Sequence, residues 1–254
     1  MTRSAAEIEK IGESSQIVAD TLQMLKSHIQ PGIKTGDLDA LAEDFIKSRD
    51  GRPAFKGYYG FPATLCISLN DEVVHGIPGE RELEDGDIVS IDCGVEKNGY
   101  YGDHAITFTV GSVNKKVQKL LDITKESLAK GIEQARAGNH LYDIGHAVQA
   151  YAEEAGFSVI RKLVGHGIGT KLHEEPQVPN YGKEGTGPLL RPGMVLAIEP
   201  MLNEGKYDVY TGDDGWTVYT KDGKLSAHFE HTVAITENGP RILSKPSNEI
   251  ESEL

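Results

Sequence analysis

The chain has 254 residues and a formal net charge of −13. This acidic balance argues against a general nucleic-acid or anionic-membrane surface, where a basic patch would be expected. Its two cysteines, Cys66 and Cys93, are too few for a disulfide framework. The sequence shows neither an apolar signal core nor a bilayer-spanning run, so we expect a cytoplasmic protein without a membrane segment. No linker-like composition divides the chain, which predicts a single domain over 1–254.

Apolar residues at three- and four-residue spacing predict four amphipathic helices. The predicted helices cover 8–29, 37–46, 117–132 and 144–155. Short apolar runs bounded by turn residues predict strands between and after them. The predicted strands cover 63–69, 87–96, 100–110, 159–163, 194–200, 217–220 and 226–235. Helices on one face of a curved, mainly antiparallel sheet would accommodate this order, so we expect an α+β fold. The glutamate-containing end, 246–254, is predicted to be an acidic, solvated tail.

Four acidic residues occur where the sequence otherwise predicts buried strands. They are Asp92, Asp103, Glu199 and Glu230, and no Lys or Arg lies within the same strand runs. An ionised carboxylate in such a place is strongly unfavourable unless it meets a cation. The simplest explanation is a site for multivalent metal ions.

The dipeptide Asn98-Gly99 is the strongest hairpin signal in the chain. With these two residues as the loop, Asp92 lies opposite Ala105 on the neighbouring strand. Asp103 is two residues from Ala105, so it shares a face with Asp92 at a backbone distance of about 7 to 8 Å. The two carboxylates are therefore expected to converge on shared ions.

An internal duplication links the two acidic pairs. The aligned stretches are 83–92 with 190–199, and 31–38 with 137–144. The first alignment has no gap and places Asp92 on Glu199. The spacing along the chain between the two copies is too long for a solenoid repeat. It predicts two halves of one fold, approximately 1–110 and 111–245. A pseudo-twofold arrangement would bring both acidic pairs to one centre.

Three histidines are candidates for functional residues. His166 lies in the glycine-rich stretch 165–169, where missing side chains would allow close backbone approach to a ligand or an ion. The glycine spacing there does not match the dinucleotide-binding fingerprint. His75 and His173 each follow an apolar segment in a turn-rich stretch. Taken singly, each is as readily a hydrogen-bonded structural residue as a functional one.

The four carboxylates and His166 are too many ligands for one tetrahedral zinc ion. They suit two ions about 3.5 to 4 Å apart that share bridging oxygens. This set predicts a dinuclear hydrolase in which nearby histidines handle proton transfer and the developing oxyanion. Hard oxygen donors with a single nitrogen favour manganese, iron, cobalt or zinc.

The most specific motifs of the sequence are the stretches 70–78, 165–169, 173–178, 198–201 and 229–233. Together they resemble the motifs of type I methionine aminopeptidases, which remove the initiator methionine from new polypeptides. The resemblance covers nearly the whole sequence and implies the pita-bread fold, in which two similar halves surround a dinuclear site. It implies two divalent ions per chain, hydrolysis with a metal-bound hydroxide, and the amino termini of nascent polypeptides as substrates. Ribosome association and a monomeric state are further expectations.

The resemblance also implies a metal-binding role for five residues. Asp92 would bind one ion through both oxygens, Asp103 and Glu230 would bridge the two ions, and His166 with Glu199 would hold the other. The free amino group of the substrate would sit on a metal, which explains cleavage strictly from the chain end.

Three residues receive catalytic roles from the same resemblance. His75 would contact the scissile amide near the leaving nitrogen, His173 would stabilise the carbonyl oxygen of the tetrahedral intermediate, and Glu199 would relay a proton. The methionine pocket would have as its walls Tyr58, Phe61, Cys66 and Trp216. For Phe61 and Trp216 the alternative is ordinary core packing.

Three residues depart from the usual family pattern: Val74, His104 and Leu172. We expect them to alter local hydrogen bonding or pocket shape without removing a ligand. Two alternatives stay open. One is a proline dipeptidase or aminopeptidase P of the same fold, although these usually carry an additional amino-terminal domain. The other is a non-catalytic binding protein, although such relatives typically lose metal ligands and all five are present here.

Overall fold

The computed structural model describes residues 2–247. Within these residues the helices are α1 (Ala5–Lys26), α2 (Thr35–Ser48), α3 (Lys115–Gln134) and α4 (Leu141–Glu154), with a short 3-10 helix at Tyr58–Gly60. The strands are β1 (Arg52–Pro53), β2 (Leu65–Leu69), β3 (Glu72–Val74), β4 (Ile88–Lys97), β5 (Tyr100–Thr109), β6 (Ser158–Val159), β7 (Gly165–Gly167), β8 (Glu174–Val178), β9 (Val195–Ile198), β10 (Met201–Asn203), β11 (Val209–Thr211), β12 (Val218–Thr220), β13 (Ser226–His228), β14 (His231–Thr236) and β15 (Gly239–Ile242). The acidic part of the predicted tail, beyond Ser247, lies outside the described residues.

The helix starts follow from local capping. Ser4 and Glu7 form a capping box at the start of α1, in which the Ser4 N–H donates to Glu7 Oε2 at 2.8 Å. Asn114 Oδ1 accepts the N–H groups of residues 116 and 117 at the start of α3. The first helix ends at Lys26 and not at the predicted residue 29. Ile29 instead packs its side chain against the core from the irregular segment that follows the turn at residues 27 and 28, so its apolar character serves packing and not helix periodicity.

The central hairpin of the first half has the predicted register. Asn98 and Gly99 both have positive φ, 54° and 81°, as a type I′ turn requires. Lys97 pairs with Tyr100, and Asp92 therefore lies opposite Ala105.

The described strands form four sheets, and each of their pairings is antiparallel. Their orders are β1-β4-β2 with β5 on β4, β13-β10-β6, β11-β12-β3, and β15-β14-β9-β7-β8. The predicted mainly antiparallel α+β fold is thus confirmed. The pairing of β12 with β3 matters most for the site, because it joins the two strands β11 and β12 of the second half of the chain to a strand of the first half.

Equivalent hydrogen bonds occur at the positions that the internal alignment equates. Isolated bridges join Lys34 to Glu82 and His140 to Leu189. The N–H of Gly32 donates to Leu83 O, and that of Gly138 to Leu190 O. The two halves therefore repeat the same entry into α2 and α4. The boundaries of the halves, and the single-domain assignment, stay predictions.

Two strand predictions need correction. The strand predicted over 226–235 is two strands, β13 and β14, because β13 pairs with β10 whereas β14 pairs with β9. Between them the Glu230 N–H donates to Ala105 O at 2.9 Å and so joins the other half. The strand predicted over 159–163 is only Ser158–Val159.

The core divides along the two halves. In the first half, α1 and α2 cover β2 and β4, with residues such as Leu22 and Ile91 fully buried. In the second half, α3 and α4 pack on each other and against β9 and β14. A third cluster joins Ile11 of α1, Phe61 and Leu172 beside the junction between the halves. Among the described helices, none combines the length and apolarity that crossing a membrane requires.

Candidate metal centre and substrate cavity

One cavity of about 1060 Å³ lies at the junction of the two halves. Every predicted site residue lines it: Tyr58, Phe61, Cys66, His75, Asp92, Asp103, His166, His173, Glu199, Trp216 and Glu230. The structure thus brings together all the residues that the sequence nominated, although they come from distant parts of the chain.

The first acidic hairpin places two carboxylates by strand register alone. Asp92 lies opposite Ala105, and Asp103 lies opposite Gly94, so both acidic side chains point to the same face. Their carboxylate oxygens and one of Glu230 lie within 4.8 Å of one another. On the other side of β4, Cys66 is the direct partner of Asp92, which places its side chain on the cavity face as well.

The second acidic hairpin reaches the same centre by long-range bonds. Glu199 follows β9 and Glu230 precedes β14, whose first residue pairs with Ile198. Thr232 Oγ1 donates to Asp103 O at 2.7 Å and accepts the Asp103 N–H at 3.1 Å. These bonds join the second hairpin to β5 and fix the distance between the two acidic pairs.

His166, on β7, lies between the two carboxylate pairs. Its Nε2 is 3.6 Å from Glu199 Oε1 and 3.8 Å from Asp103 Oδ2. The flanking glycines serve a different purpose from the predicted close approach to a ligand. A Cβ on Gly165 would collide with the carbonyl oxygen of a residue on β9, and one on Gly167 with a carbonyl oxygen on β8. The glycines therefore let β7 fit between two neighbouring strands.

The carboxyl groups of the cluster have raised pKa values. Burial raises the pKa of Asp92 to about 7. Burial and the neighbouring charges of Glu230 and Asp92 raise the pKa of Asp103 well above its ordinary value. The pKa of Glu199 is also raised well above the ordinary value, by burial and then by Asp92 and Asp103, and so is that of Glu230. Negative charge at this centre is therefore unfavourable without cations.

The donor set fits divalent metal ions. Asp92 Oδ1 and Glu230 Oε1 are buried and have no hydrogen-bond partner among the described residues. Two overlapping groups of candidate ligands, Asp92-Asp103-Glu230 and His166-Glu199-Glu230, share one carboxylate. Burial also lowers the pKa of His166 to about 3, which keeps the imidazole neutral and able to ligate. Oxygen donors with one imidazole are suited to divalent ions such as manganese, iron, cobalt and zinc.

His75 and His173 approach the cluster from opposite halves. His75 has a positive φ of 61°, which is uncommon for a residue with a side chain and is typical of functional sites. His173 Nδ1 lies 3.0 Å from the Tyr58 hydroxyl, and its ring centroid is 4.3 Å from that of His166. Burial lowers the pKa of His75, and that of His173 to about 4. Both rings are therefore neutral near pH 7.

His173 also falls within range of the candidate ligands. One of its nitrogens forms a group with atoms of Asp103 and His166 within 4.8 Å. The resemblance gave His173 a catalytic role and not a ligand role, and this role stays a prediction.

The apolar end of the cavity has aromatic walls. The rings of Phe61 and Trp216 are 5.2 Å apart between centroids and nearly perpendicular, at 75°. Cys66, beside them, is 4% exposed, and burial raises the pKa of its thiol. Met201 lines the cavity too and was missed. The signal for it was its position two residues after Glu199.

The family model for Metallopeptidase family M24 matches residues 9–237 of the chain. The chain belongs to metallopeptidase family M24. Among its M24 relatives, the methionine aminopeptidase of Clostridium perfringens is 57% identical over 238 residues, which cover 94% of this chain and 96% of that protein. Methionine aminopeptidase 1 of Bacillus subtilis is 54% identical over 243 residues, with 96% and 98% coverage. The recognition, enzyme class and function predicted from the sequence motifs are confirmed by these relatives.

Solved structures of M24 relatives have the same fold. The methionine aminopeptidase of Thermotoga maritima has a TM-score of 0.95 at 46% identity, covering 96% of this chain and 100% of that one. The methionine aminopeptidase of Rickettsia prowazekii also has a TM-score of 0.95, at 42% identity, with 96% and 99% coverage. The prolidase of Pyrococcus furiosus has a TM-score of 0.77 at 26% identity, and the match covers 97% of this chain but 66% of that one. The pita-bread fold expected of an M24 member is confirmed.

A further buried histidine lies beside the M24 site and was not predicted. His228 is 1% exposed, and its Nε2 is 3.9 Å from Glu199 Oε2. Neither ring nitrogen has a hydrogen-bond partner among the described residues. His228 is two residues from Glu230, on the same predicted strand, which was the available signal. His104, noted as a departure, donates from Nδ1 to Glu230 O, and its ring stacks on His231.

Proposed function

We propose that the chain removes the amino-terminal methionine from peptides and newly made proteins by metal-dependent hydrolysis. The observation that carries this proposal is the convergence of five candidate ligands, two neutral histidines and an apolar aromatic pocket on one cavity. Relatives named methionine aminopeptidase match nearly the whole chain, which supports the same substrate class.

The metal ligands in this proposal are the five residues that the sequence nominated. They are Asp92, Asp103, His166, Glu199 and Glu230. Bound divalent cations would supply Lewis acidity and lower the pKa of a water molecule. Asp103, His166 and Glu230 each belong to two candidate ligand groups. Of the three, only the carboxylates of Asp103 and Glu230 have two oxygens with which to bridge, which supports two ions per chain with these two residues between them.

The neutral histidines would bind the reacting amide. With Nδ1 of His173 accepting from the Tyr58 hydroxyl, Nε2 carries the proton and can donate to the substrate carbonyl oxygen. His75 enters from the opposite half and would contact the leaving nitrogen. Glu199, which lies in one candidate ligand group with His166 and Glu230, would accept a proton and pass it on.

The aromatic end of the cavity would hold the methionine side chain. Phe61 and Trp216 offer an apolar corner, and Cys66 lies at its base between that corner and Asp92. A flexible thioether fills such a pocket well and makes favourable contacts with aromatic rings. Tyr58 would close the side nearest His173.

A peptide panel tests the function directly. Metal-free protein would be loaded with manganese, cobalt, iron or zinc and assayed against Met-Ala-Ser and Leu-Ala-Ser peptides. Ala-Pro and Xaa-Pro peptides test the alternative of a proline dipeptidase or aminopeptidase P. We expect cleavage of the methionyl peptide only. Faster cleavage of Xaa-Pro substrates would establish the alternative, and no cleavage with any metal would establish a non-catalytic binding protein.

The cellular setting is part of the proposal. Cys66 and Cys93 are both free and buried, which supports a reducing, cytoplasmic compartment. The amino termini of nascent chains are the proposed partners. Ribosome association and the monomeric state stay predictions, to be tested by ribosome sedimentation and by light scattering.

A further inference from the structure

The residues that precede α1 contact the turn that carries His173. The Arg3 side chain is only 6% exposed and pairs with Glu174, whose side chain is 12% exposed. Arg3 Nη2 donates to both carboxylate oxygens of Glu174, at 2.6 Å to Oε1. The Arg3 N–H also donates to Gly193 O at 2.7 Å, just before β9. The start of the described chain is therefore fixed against both β8 and the segment leading to Glu199.

Glu174 organises the turn through the same carboxylate. Its Oε1 accepts the N–H of Thr170 at 2.9 Å and the N–H of Lys171 at 3.0 Å. The Thr170 hydroxyl donates to it as well, at 3.2 Å. Burial raises the pKa of Glu174, but hydrogen bonds from the Lys171 N–H and from Arg3 have the larger combined effect. The pKa of Glu174 therefore lies below its ordinary value. The ionised carboxylate thus closes the turn 170–174 with Arg3 as its counter-charge.

Two glycines make room for Arg3. A Cβ on Gly169 would lie 2.5 Å from Arg3 Nη2, and a Cβ on Gly193 would lie 2.6 Å from Arg3 O. Contacts this short do not occur between real atoms, so a side chain at 193 would clash with the backbone of Arg3, and a side chain at 169 would displace the guanidinium group of Arg3. The last glycine of the 165–169 stretch therefore accommodates a guanidinium group.

The turn has a few other anchors. Thr170 and Lys171 are exposed and His173 faces the open cavity, whereas Leu172 is 2% exposed and packs in the cluster that contains Ile8 and Ile11 of α1. The support for His173 thus comes from its own contacts with Tyr58 and His166, from the first turns of α1 through Leu172, and from Glu174.

We propose that Arg3 is a positioning residue for His173: its ion pair with Glu174 holds the turn 170–174 so that His173 meets the substrate carbonyl oxygen. Arg3 does not itself touch the substrate. The role given to His173 rests on the proposed function, but the effect on the turn does not. A fixed imidazole matters because a displacement of about 1 Å can cost roughly a hundredfold in rate.

Hydrogen exchange tests the effect on the turn without any assay of activity. In Arg3→Gln, the Thr170 and Lys171 amides should exchange at least tenfold faster than in the wild type, because their acceptor loses its restraint. Arg241→Gln is the matched control, since Arg241 forms an ion pair with Glu9 on the exposed side of α1. It should leave both amides unchanged. Unchanged exchange in Arg3→Gln overturns the proposal, whatever the enzyme does.

Steady-state kinetics on the metal-loaded, full-length protein test the link to His173. Arg3→Gln should lower kcat for Met-Ala-Ser by roughly 10- to 100-fold, with little change in KM or in bound manganese. In a His173→Ala background the same substitution should cost less than about twofold, because the two act through one group. Equal losses in both backgrounds, or lost manganese, overturn the proposal.

Arg3→Lys provides a second variant if Arg3→Gln does not fold. Lysine keeps the charge but lacks the fork of donors, so partial rescue of kcat and of amide protection is expected. A Lys variant that folds with wild-type kcat and with wild-type exchange at Thr170 and Lys171 contradicts the proposal. A wild-type protein that cleaves no methionyl peptide refutes the proposed function instead, and the exchange experiment still decides the role of Arg3 in the turn.

Discussion

The two acidic hairpins differ in how the chain joins their strands. Asn98 and Gly99 alone join β4 to β5, whereas residues 199–230 separate β9 from β14 and form four further strands. The first hairpin therefore places its carboxylates by local register. The second places Glu199 and Glu230 by long-range pairing, and its excursion also brings Trp216 to the cavity and His228 to within 3.9 Å of Glu199. The duplicated unit thus supplies candidate ligands twice, while the insertion in one copy adds a wall of the cavity.

The largest expected effect comes from the proposed bridging carboxylates, one in each hairpin. Asp103→Asn and Glu230→Gln should each lose metal and lower kcat/KM by on the order of a thousandfold or more. Each variant removes a charge that both proposed ions would share. Metal analysis and hydrolysis of a methionyl peptide are the measurements. Glu96→Gln, on β4 but paired with Arg52 outside the cavity, is the control. If only one of the two variants is affected, the hairpins are not equivalent ligand sources.

The next largest effect is expected from substitution of His75 or His173, which separates a role in catalysis from a role in metal binding. His75→Ala should keep its metal and lower turnover by roughly 10²- to 10⁴-fold, the usual range for an acid–base or hydrogen-bonding group. His173→Ala should behave in the same way, although His173 lies within ligand range of Asp103 and His166. Metal content measured beside kcat distinguishes the roles. Loss of metal in either variant would make that histidine a ligand and the predicted role wrong.

The difference between the two hairpins explains which parts of the structure could be predicted. The Asn98-Gly99 turn fixes register over ten residue pairs, so the Asp92 and Asp103 positions follow from sequence alone. The strands β7 and β8 could not be predicted, because two glycines and Pro176 argue against strand structure there. Their stability comes from tertiary pairing of β7 with β9 and of β8 with β7, which short-range patterns do not contain.

The site residues also divide into those that the sequence predicts and those that only the folded structure explains. The ligands were visible as acidic residues in apolar runs, and the pocket walls through motif resemblance. The orientation of Cys66 became explicable only from its pairing with Asp92 across β2 and β4. Arg3 gave no sequence signal at all, since its partner Glu174 lies 171 residues away. Long-range electrostatic pairs of this kind depend on the folded chain.

The pH dependence of stability without metal gives a smaller but informative effect. The carboxyl groups have raised pKa values in the folded chain, about 7 for Asp92 and higher than ordinary for Asp103, Glu199 and Glu230. The folded state therefore binds more protons than the unfolded state, and this contribution to stability is lost as pH rises through the folded pKa values. Buried histidines have lowered pKa values and act in the opposite direction, but only below their ordinary pKa of about 6.5.

The window above pH 6.5 thus isolates the carboxyl groups. We expect the Tm of metal-free protein to fall between roughly pH 6.5 and 8.5, and added manganese to flatten or reverse this fall, since ions replace protons. Glu199→Gln should raise the metal-free Tm at the upper end by removing one charge. Thermal unfolding with chelator and with manganese measures both effects. A metal-free Tm that rises across this window would show that the carboxylates are already neutralised within the chain.

The smallest effect concerns the pocket wall that the second hairpin's excursion supplies. Trp216→Leu should lower kcat/KM for methionyl peptides by roughly tenfold, mainly through KM, and Cys66→Ala by only a few-fold. Metal content should not change, because neither side chain is among the candidate ligands. The competing explanation is core packing, since Trp216 also contacts Phe61. Core packing alone would lower Tm and leave KM unchanged. Kinetics and thermal unfolding of the same two variants therefore decide whether the excursion contributes substrate specificity or only stability.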